Sequence, residues 1–270
     1  MSLVLVTGGT GHLGRDLVDR LVLKGHRARV FARSPRADAN IEWAIGDLAT
    51  GEGLPAALQD VDIVINAATH SPIARRGGIR PVDFFKSPSA VDVEGTERLL
   101  ALCRDARINH FLHVSIVGLD YASLPYARVK LAGERLVRKS SVPWSVVRAM
   151  PFYYLLEKML AGLVWLPMWP LPKTLFNPVD TSDVADYLVK CAFDGRRGMR
   201  VDIGGPDELS WIDVGRQYQG ARGLHRAILP VPLSDRMARG MGFVVSNGVR
   251  GTLPWSTWLR QRSAEARKAA

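Results

Sequence analysis

The 270-residue chain has only two cysteines, Cys103 and Cys191. Two thiols rule out a disulfide framework and cannot complete a four-ligand zinc site, so a reduced setting is expected. Both fall on apolar helical faces and read as core residues. No histidine–carboxylate spacing points to a metal. Long hydrophobic runs are also missing. The most apolar late stretch, residues 155–171, is broken by Glu157, Lys158, Pro167 and Pro170. A spanning helix needs about 20 apolar residues without such breaks. The segment Met1-Ser2-Leu3-Val4-Leu5-Val6-Thr7-Gly8-Gly9 enters an apolar strand with no basic lead or cleavage site. The expectation is therefore a cytoplasmic protein with neither a secretory leader nor a membrane span. Repeats and low-complexity segments are absent. Acids are outnumbered 26 to 36, for a net charge of +10. The bases are mostly scattered arginines, with local groups at Arg75–Arg76–Arg80 and Arg260–Arg262–Arg267–Lys268. These read as solvated surface, and no nucleic-acid partner is expected without a continuous basic stripe.

What is present is a foldable chain. An apolar fraction of 47% is ample for a core, and the length suits one large domain or one with an appended part. Short apolar runs at 3–6, 28–32, 41–45, 62–66, 110–115 and 144–147 read as strands. Between them, helical spacing of apolar residues marks 13–23, 91–106 and 126–139, with another helix at 181–192. Repeated strand–helix–strand order with continuously apolar strands predicts an α/β, Rossmann-type, doubly wound parallel sheet. After Pro151 the pattern loosens, and Pro-Met-Trp-Pro-Leu-Pro at 167–172 cannot be regular helix. Residues 1–150 are expected to form the nucleotide-binding core. Residues 151–270 would form a smaller, mostly helical substrate-binding part, with 178–204 returning to the core and short helices and loops beyond Gly204.

Between the first strand and first helix lies Thr7-Gly8-Gly9-Thr10-Gly11-His12-Leu13-Gly14. Glycines at 8, 11 and 14 let backbone approach a pyrophosphate, which then faces free amides at the positive end of a helix. His12 either helps neutralise the phosphates or contributes backbone alone. The second strand ends Ala32-Arg33-Ser34-Pro35-Arg36, with no acid to accept from a ribose 2′-hydroxyl. A guanidinium at Arg33 suits a 2′-phosphate, with Ser34 and Arg36 assisting, so NADP(H) is expected rather than NAD(H). Asp47 and Leu48 follow the third strand, near the expected adenine edge, although an Asp there also forms ordinary turns. Ala67, Ala68 and Thr69 follow the fourth strand and are small enough for a ribose to lie against the strand ends. His70 reads as a loop residue, and His110 and His113 as structural.

Tyr126 and Lys130 lie four residues apart on one helix face. Ser115 ends the preceding strand, eleven residues before Tyr126. Hydride addition to a carbonyl leaves an alkoxide that must be protonated. A phenol with a pKa near 10 becomes a better acid–base group when an ammonium lowers that value. Lys130 is also placed to hold a nicotinamide ribose, and Ser115 to donate to a substrate oxygen. The alternative is an ordinary amphipathic helix start with Lys130 solvated. Phe152, Tyr153, Tyr154, Trp165, Met168 and Trp169 form an aromatic-rich segment. It either lines an apolar substrate pocket or packs into the core or a partner subunit.

The assembled motifs resemble atypical or extended short-chain dehydrogenase/reductases of the NmrA-like NAD(P)-binding group. Carrying the resemblance are Thr7-Gly8–Gly14, Gly46-Asp47-Leu48, Val91-Asp-Val-Glu-Gly95-Thr96, His113-Val-Ser115-Ile-Val-Gly118 and Tyr126–Lys130. Asn177-Pro-Val-Asp180-Thr-Ser-Asp183-Val-Ala185, Gly204-Gly-Pro206 and Trp255-Ser-Thr-Trp258-Leu259 extend it along nearly the whole chain. The Ser115-to-Tyr126 spacing is short for that group. The resemblance implies that Pro151 and Phe152 lie near the nicotinamide. It also implies an NADP(H)-dependent oxidoreductase reducing a carbonyl or activated double bond of a hydrophobic small molecule, with Tyr126 as acid–base. Two alternatives share the scaffold. One is a non-redox epimerase, cyclase or dehydratase, and the other a non-catalytic NADP-sensing regulator or assembly protein.

Overall fold

The computed structural model describes residues 1–35, 41–71, 87–121, 124–233, 235, 238 and 242–269. Six parallel strands form its centre: β1 (Leu3–Thr7), β2 (Arg27–Ala32), β3 (Glu42–Ile45), β4 (Ile63–Asn66), β5 (His110–Ile116) and β6 (Trp144–Ala149), in the order β3-β2-β1-β4-β5-β6. Chain order reverses between β1 and β4, which opens a crevice at the carboxyl ends of these two strands. Their register aligns Thr7 with Phe31 on one side and with Asn66 on the other, and Asn66 with His113. Every residue of β1 and β4 is buried, as expected of strands covered on both faces.

Side-chain alternation divides the core in two. Val4, Val6, Leu112 and Val114 face one layer with Leu17 and Leu21 of α1 (His12–Leu23). Leu3, Leu5, Val64 and Phe111 face the other, with Leu99 and Cys103 of α3 (Thr96–Asp105) and Val137 of α4 (Pro125–Lys139). Each such large apolar side chain contributes about 1.5–3 kcal/mol on burial. A short α2 (Leu54–Ala57) follows β3. The helix expected over 91–106 begins instead as a π-helical turn, Ala90–Gly95, before α3. Close packing accompanies this wider turn: a Cβ on Gly133 of α4 would meet the Asp92 carbonyl oxygen at 2.3 Å, and one on Gly95 would meet Leu48 Cγ at 2.8 Å.

Beyond Ala149 the chain forms α5 (Tyr153–Ala161), β7 (Met168–Pro172), β8 (Leu175–Phe176) and α6 (Thr181–Phe193). The proline-rich 168–172 is indeed not helical. It pairs in parallel with β12 (Ala227–Val231) in a separate two-stranded sheet. The chain then returns to the main sheet through β9 (Gly198–Met199) and β10 (Ile203–Gly204), both beside β6, and through β13 (Val249–Arg250) beside β10. Helix α6 packs on α1, with Asp180 capping its first turn by accepting from the Ser182 N–H at 3.0 Å. Past Gly204 the helices are longer than expected. After β11 (Leu209–Ser210) comes α7 (Trp211–Arg222), and α8 spans Trp255–Ala269. A capping box starts α7: Ser210 accepts from the Asp213 N–H at 3.1 Å, and Asp213 accepts from the Ser210 N–H at 3.0 Å.

Candidate functional site

The glycine turn leads from β1 into α1 at the crevice. Gly8 adopts φ +73°, and a Cβ there would lie 2.8 Å from the backbone of Ala67 and Ala68. Only glycine combines this left-handed geometry with such close approach. A Cβ on Gly14 would sit 2.1 Å from the Gly8 carbonyl oxygen, and one on Gly11 would meet the same atom at 3.3 Å. No side chain caps α1, and no acid stands in its first turn. The leading amides of a twelve-residue helix therefore face the crevice without a neutralising group. This cradle fits the pyrophosphate of a dinucleotide. Thr10 is half-buried, Gly11 exposed and Leu13 buried against the core.

His12 stacks on Tyr154 at 4.1 Å between ring centres. Burial, followed by Arg15, Lys158 and Arg262, holds its imidazole below the ordinary histidine value. Arg33 and Ser34 are exposed past β2, at the same edge of the sheet. Arg36 lies outside the described residues, as do Arg75, Arg76 and Arg80. Asp47 forms a turn, its carboxylate accepting from the Ala49 N–H at 2.8 Å, while Leu48 is buried against Gly95. Ala67 and Ala68 are half-buried beside the glycine turn, and Thr69 is exposed.

Beneath the crevice runs a buried polar chain. Thr7 Oγ1 donates to Asn66 Oδ1 at 2.6 Å, and Asn66 Nδ2 donates to Thr96 Oγ1 at 3.2 Å and to His113 Nδ1 at 3.3 Å. Burial, with Lys130 nearby, keeps His113 neutral. His110 is likewise internal, between Ser145 Oγ and the Ala192 carbonyl. Both histidines are structural, as read from sequence. Cys103 and Cys191 are buried, and burial pushes the Cys103 thiol up to about 12. No group of three or more potential metal ligands occurs among the described residues, nor a helix long and apolar enough to cross a membrane.

Pro125 begins α4 and presents Tyr126 to the crevice. Its hydroxyl lies 3.1 Å from Thr69 Oγ1. One turn further, Lys130 is 4% exposed, donates to the Val114 carbonyl at 3.2 Å and lies 3.3 Å from Asp92 Oδ1. Asp92 is 2% exposed, and its Oδ2 accepts from the His70 N–H at 2.9 Å. Tyr126 and Lys130 thus share a face at the predicted place. The expected lowering of the phenol pKa is not what the geometry produces. Burial and the Asp92 carboxylate raise it, against smaller opposing bonds from Thr69 and Ser71. Asp92 was visible in sequence only as part of Val91-Asp-Val-Glu-Gly, and no spacing rule links it to Lys130.

Ser115 is not brought to Tyr126. It is 2% exposed and donates to Glu134 Oε2 at 2.8 Å. Glu134 is fully buried and also accepts from Arg148, through Nε at 2.9 Å and Nη2 at 2.8 Å. Alternation along β5 turns Ser115 toward α4, the same way as Phe111 and His113. The expected substrate-polarising role is therefore replaced by a buried tie between strand and helix.

The aromatic segment divides. Trp169 and Tyr153 are core residues, Tyr153 donating to the Leu253 carbonyl at 2.8 Å, while Trp165 is 78% exposed. The alternating geometry of β7 buries Trp169 and leaves Met168 47% exposed. A pocket lined by Trp165 and Trp169 is thus excluded. Phe152 and Tyr154 remain half-buried near the turn, their ring centres 5.9 Å apart. Pro151 precedes them, its carbonyl accepting from the Val179 N–H at 3.1 Å. A cleft of about 610 Å³ along α6, lined by Asp183, Tyr187, Lys190 and Arg250 among others, contains none of the predicted site residues.

A parallel sheet with its switch point beside a glycine cradle defines a dinucleotide-binding protein of the Rossmann type. Residues 8–194 match the NAD(P)H-binding family model, and the chain belongs to that family, as an atypical short-chain dehydrogenase/reductase of the NmrA-like kind. It is 30% identical over 200 residues to the photosystem II assembly factor Ycf39 of Trieres chinensis, covering 70% of this chain and 59% of that one. It is 27% identical over 257 residues to the chloroplastic divinyl chlorophyllide a 8-vinyl-reductase of Zea mays, covering 85% and 62%. The chain thus spans about 60% of the length of these curated relatives. Two solved structures share the fold. One is a short-chain dehydrogenase/reductase superfamily protein from Agrobacterium tumefaciens with bound NAD (TM-score 0.74, 18% identity, 99% of this chain and 97% of that one). The other is the UDP-glucose 4-epimerase of Thermotoga maritima with UDP-glucose (TM-score 0.76, 15% identity, 99% of each chain).

Proposed function

We propose that the protein is an NADP(H)-dependent reductase acting on a carbonyl or activated double bond of a hydrophobic small molecule. The observation carrying this reading is the Tyr126 hydroxyl, 3.1 Å from Thr69 and at the same sheet edge as the glycine cradle. When bound, the coenzyme supplies a hydride. The amides opening α1 and the backbone at Gly8 would hold its pyrophosphate. Arg33, with Ser34, would take a 2′-phosphate, and the lack of an acid at the end of β2 favours NADP(H) over NAD(H). Ala67, Ala68 and Lys130 would bear on a ribose. Pro151 and Phe152 would flank the nicotinamide. Phe152 and Tyr154 supply apolar surface suited to an apolar substrate. Tyr126 donates the proton that completes the two-electron reduction, and its phenolate regains a proton from water.

The chlorophyllide vinyl-reductase relative supports reductase chemistry, and the likeness to an assembly factor supports a second reading, a coenzyme-holding protein without turnover. One substitution separates them. Tyr126→Phe should cut NADPH consumption with hydrophobic aldehydes, ketones and enones by about 10²–10⁴-fold. NADPH affinity should stay within about threefold, because no coenzyme contact is assigned to that hydroxyl. Unchanged turnover in Tyr126→Phe refutes the catalytic reading. Absence of turnover in the wild type across such a panel favours the second.

A further inference from the structure

The small sheet of β7 and β12 has one covered face and one bare face. Its register sets Met168 opposite Ala227 and Pro170 opposite Leu229. Alternation turns Trp169, Leu171 and Ile228 inward onto α7. There a Cβ on Gly215 would meet Leu171 Cδ1 at 2.5 Å and atoms of Trp169 and Ile228 at 3.8 Å. The other face carries Met168, Pro170, Ala227 and Leu229, all exposed. Trp165, the most exposed aromatic side chain among the described residues, stands in the turn closed by the Leu166 N–H donating to the Leu163 carbonyl. It lies three residues before Met168, hence within about 10 Å of it. An indole left in water beside an exposed Met and Leu marks an interaction surface.

The charge around this face has one sign. Residues 158–179 and 214–233, which supply both strands, contain Lys158, Lys173, Arg216, Arg222 and Arg226 but no Asp or Glu. At the chain's average frequency about four acids would stand there. Arg222 is taken up by Glu157 of α5. Arg226 and Lys173 are exposed at opposite ends of the sheet. Arg226 directly precedes Ala227, and Lys173 follows Pro172 and lines a small cavity with Pro230 and Val231. Pro170, Pro172 and Pro230 withhold N–H donors, so the strand edges do not suit an added peptide strand. A net charge of +10 on each chain opposes a second copy. An indole and apolar side chains, flanked by cations and free of acids, match an anionic bilayer surface. The apolar groups enter below the headgroups while the cations meet lipid phosphates. We infer that the Trp165–Met168–Leu229 face seats the protein reversibly on an anionic phospholipid bilayer, without crossing it. This surface does not depend on the catalytic reading.

The full chain is titrated with vesicles of phosphatidylcholine, with or without phosphatidylglycerol, and bound protein is measured by co-sedimentation. Binding to the anionic vesicles should be at least about tenfold tighter than to the neutral ones, and salt should weaken it. Tryptophan emission should shift to the blue on binding and be quenched by lipids brominated in their acyl chains. Trp165→Phe should remove most of both changes. Lys173→Gln with Arg226→Gln should weaken binding at least about tenfold, and so should Trp165→Ser with Leu229→Ser. All four side chains are exposed, so the fold should persist, which circular dichroism checks. No binding to anionic vesicles, equal binding to neutral ones, or binding that survives both double substitutions would overturn the inference. So would dimers in sedimentation velocity that Trp165→Ser with Leu229→Ser dissolves, since the face would then belong to a second copy.

Discussion

Replacing Ser115 by alanine separates a structural hydroxyl from a catalytic one. The serine donates at 2.8 Å to a carboxylate with no solvent exposure. A hydrogen bond to a charged group contributes about 1.5–3 kcal/mol. Glu134 keeps two hydrogen bonds from Arg148, at 2.9 and 2.8 Å, so the loss should fall at the lower end, about 1.5 kcal/mol. At roughly 2–4 °C per kcal/mol for a domain of this size, Tm should fall by about 3–6 °C. Arg148→Met sets the scale. It leaves the buried carboxylate with only the more distant Arg138, 3.7 Å from Glu134 Oε1, as counter-charge, which costs up to about 3–5 kcal/mol and roughly 6–20 °C. Differential scanning calorimetry of the three proteins, with and without NADPH, is the assay. Ser115→Ala should melt between wild type and Arg148→Met, bind NADPH as wild type does, and keep its turnover within about threefold. A variant with unchanged Tm and turnover reduced about 100-fold or more would show that the hydroxyl serves the substrate, and the assignment would be wrong.

Three further outcomes follow from the same geometry. Gly14→Ala forces a Cβ to within 2.1 Å of the Gly8 carbonyl oxygen; calorimetric titration should show NADPH binding weakened at least about tenfold, with a stability loss of about 1–3 kcal/mol. Arg33→Ala should narrow the preference for NADPH over NADH by about tenfold, the loss of one charge-assisted contact, while leaving NADH affinity nearly unchanged. His110, lowered to about 4 chiefly by burial, binds a proton more readily unfolded than folded. Its stabilising contribution is therefore complete above about pH 6.5 and is lost as pH falls toward 4, by up to about 3 kcal/mol. Urea unfolding of wild type and His110→Gln across that range should show a shallower pH slope in the variant, and equal slopes would contradict the assignment.

The parallel core was legible because β1 and β4 are buried on both faces and their apolar runs are continuous. The turn at 8–14 was legible because Gly11 and Gly14 answer steric demands made by Gly8 within the turn itself, although the close approach of Ala67 and Ala68 to Gly8 could not be read from local sequence. The π-helical turn before α3 was not, since Val93 and Thr96 fit ordinary helical spacing with Leu99, Leu100 and Cys103, and the wider turn packs against Gly133 of α4, a contact remote in sequence. Helix α7 escaped because Gly215 and Gly220 interrupt it and its cap uses Asp213 where the familiar box has Glu or Gln. The Ser115–Glu134–Arg148 tie joins β5, α4 and β6. A serine placed by spacing alone carries no sign of which face of its strand it occupies. Tyr153 and Trp169 were read within a run of aromatics, yet alternation and helical phase sent them into the core and left Phe152 and Tyr154 near the turn.

The most direct test of the account is calorimetric titration of the full chain with NADPH and with NADH. Saturable binding of NADPH, at least about tenfold tighter than NADH, is the predicted result. Failure of both coenzymes to bind would contradict the assignment of the glycine cradle, and tighter binding of NADH would contradict the role given to Arg33.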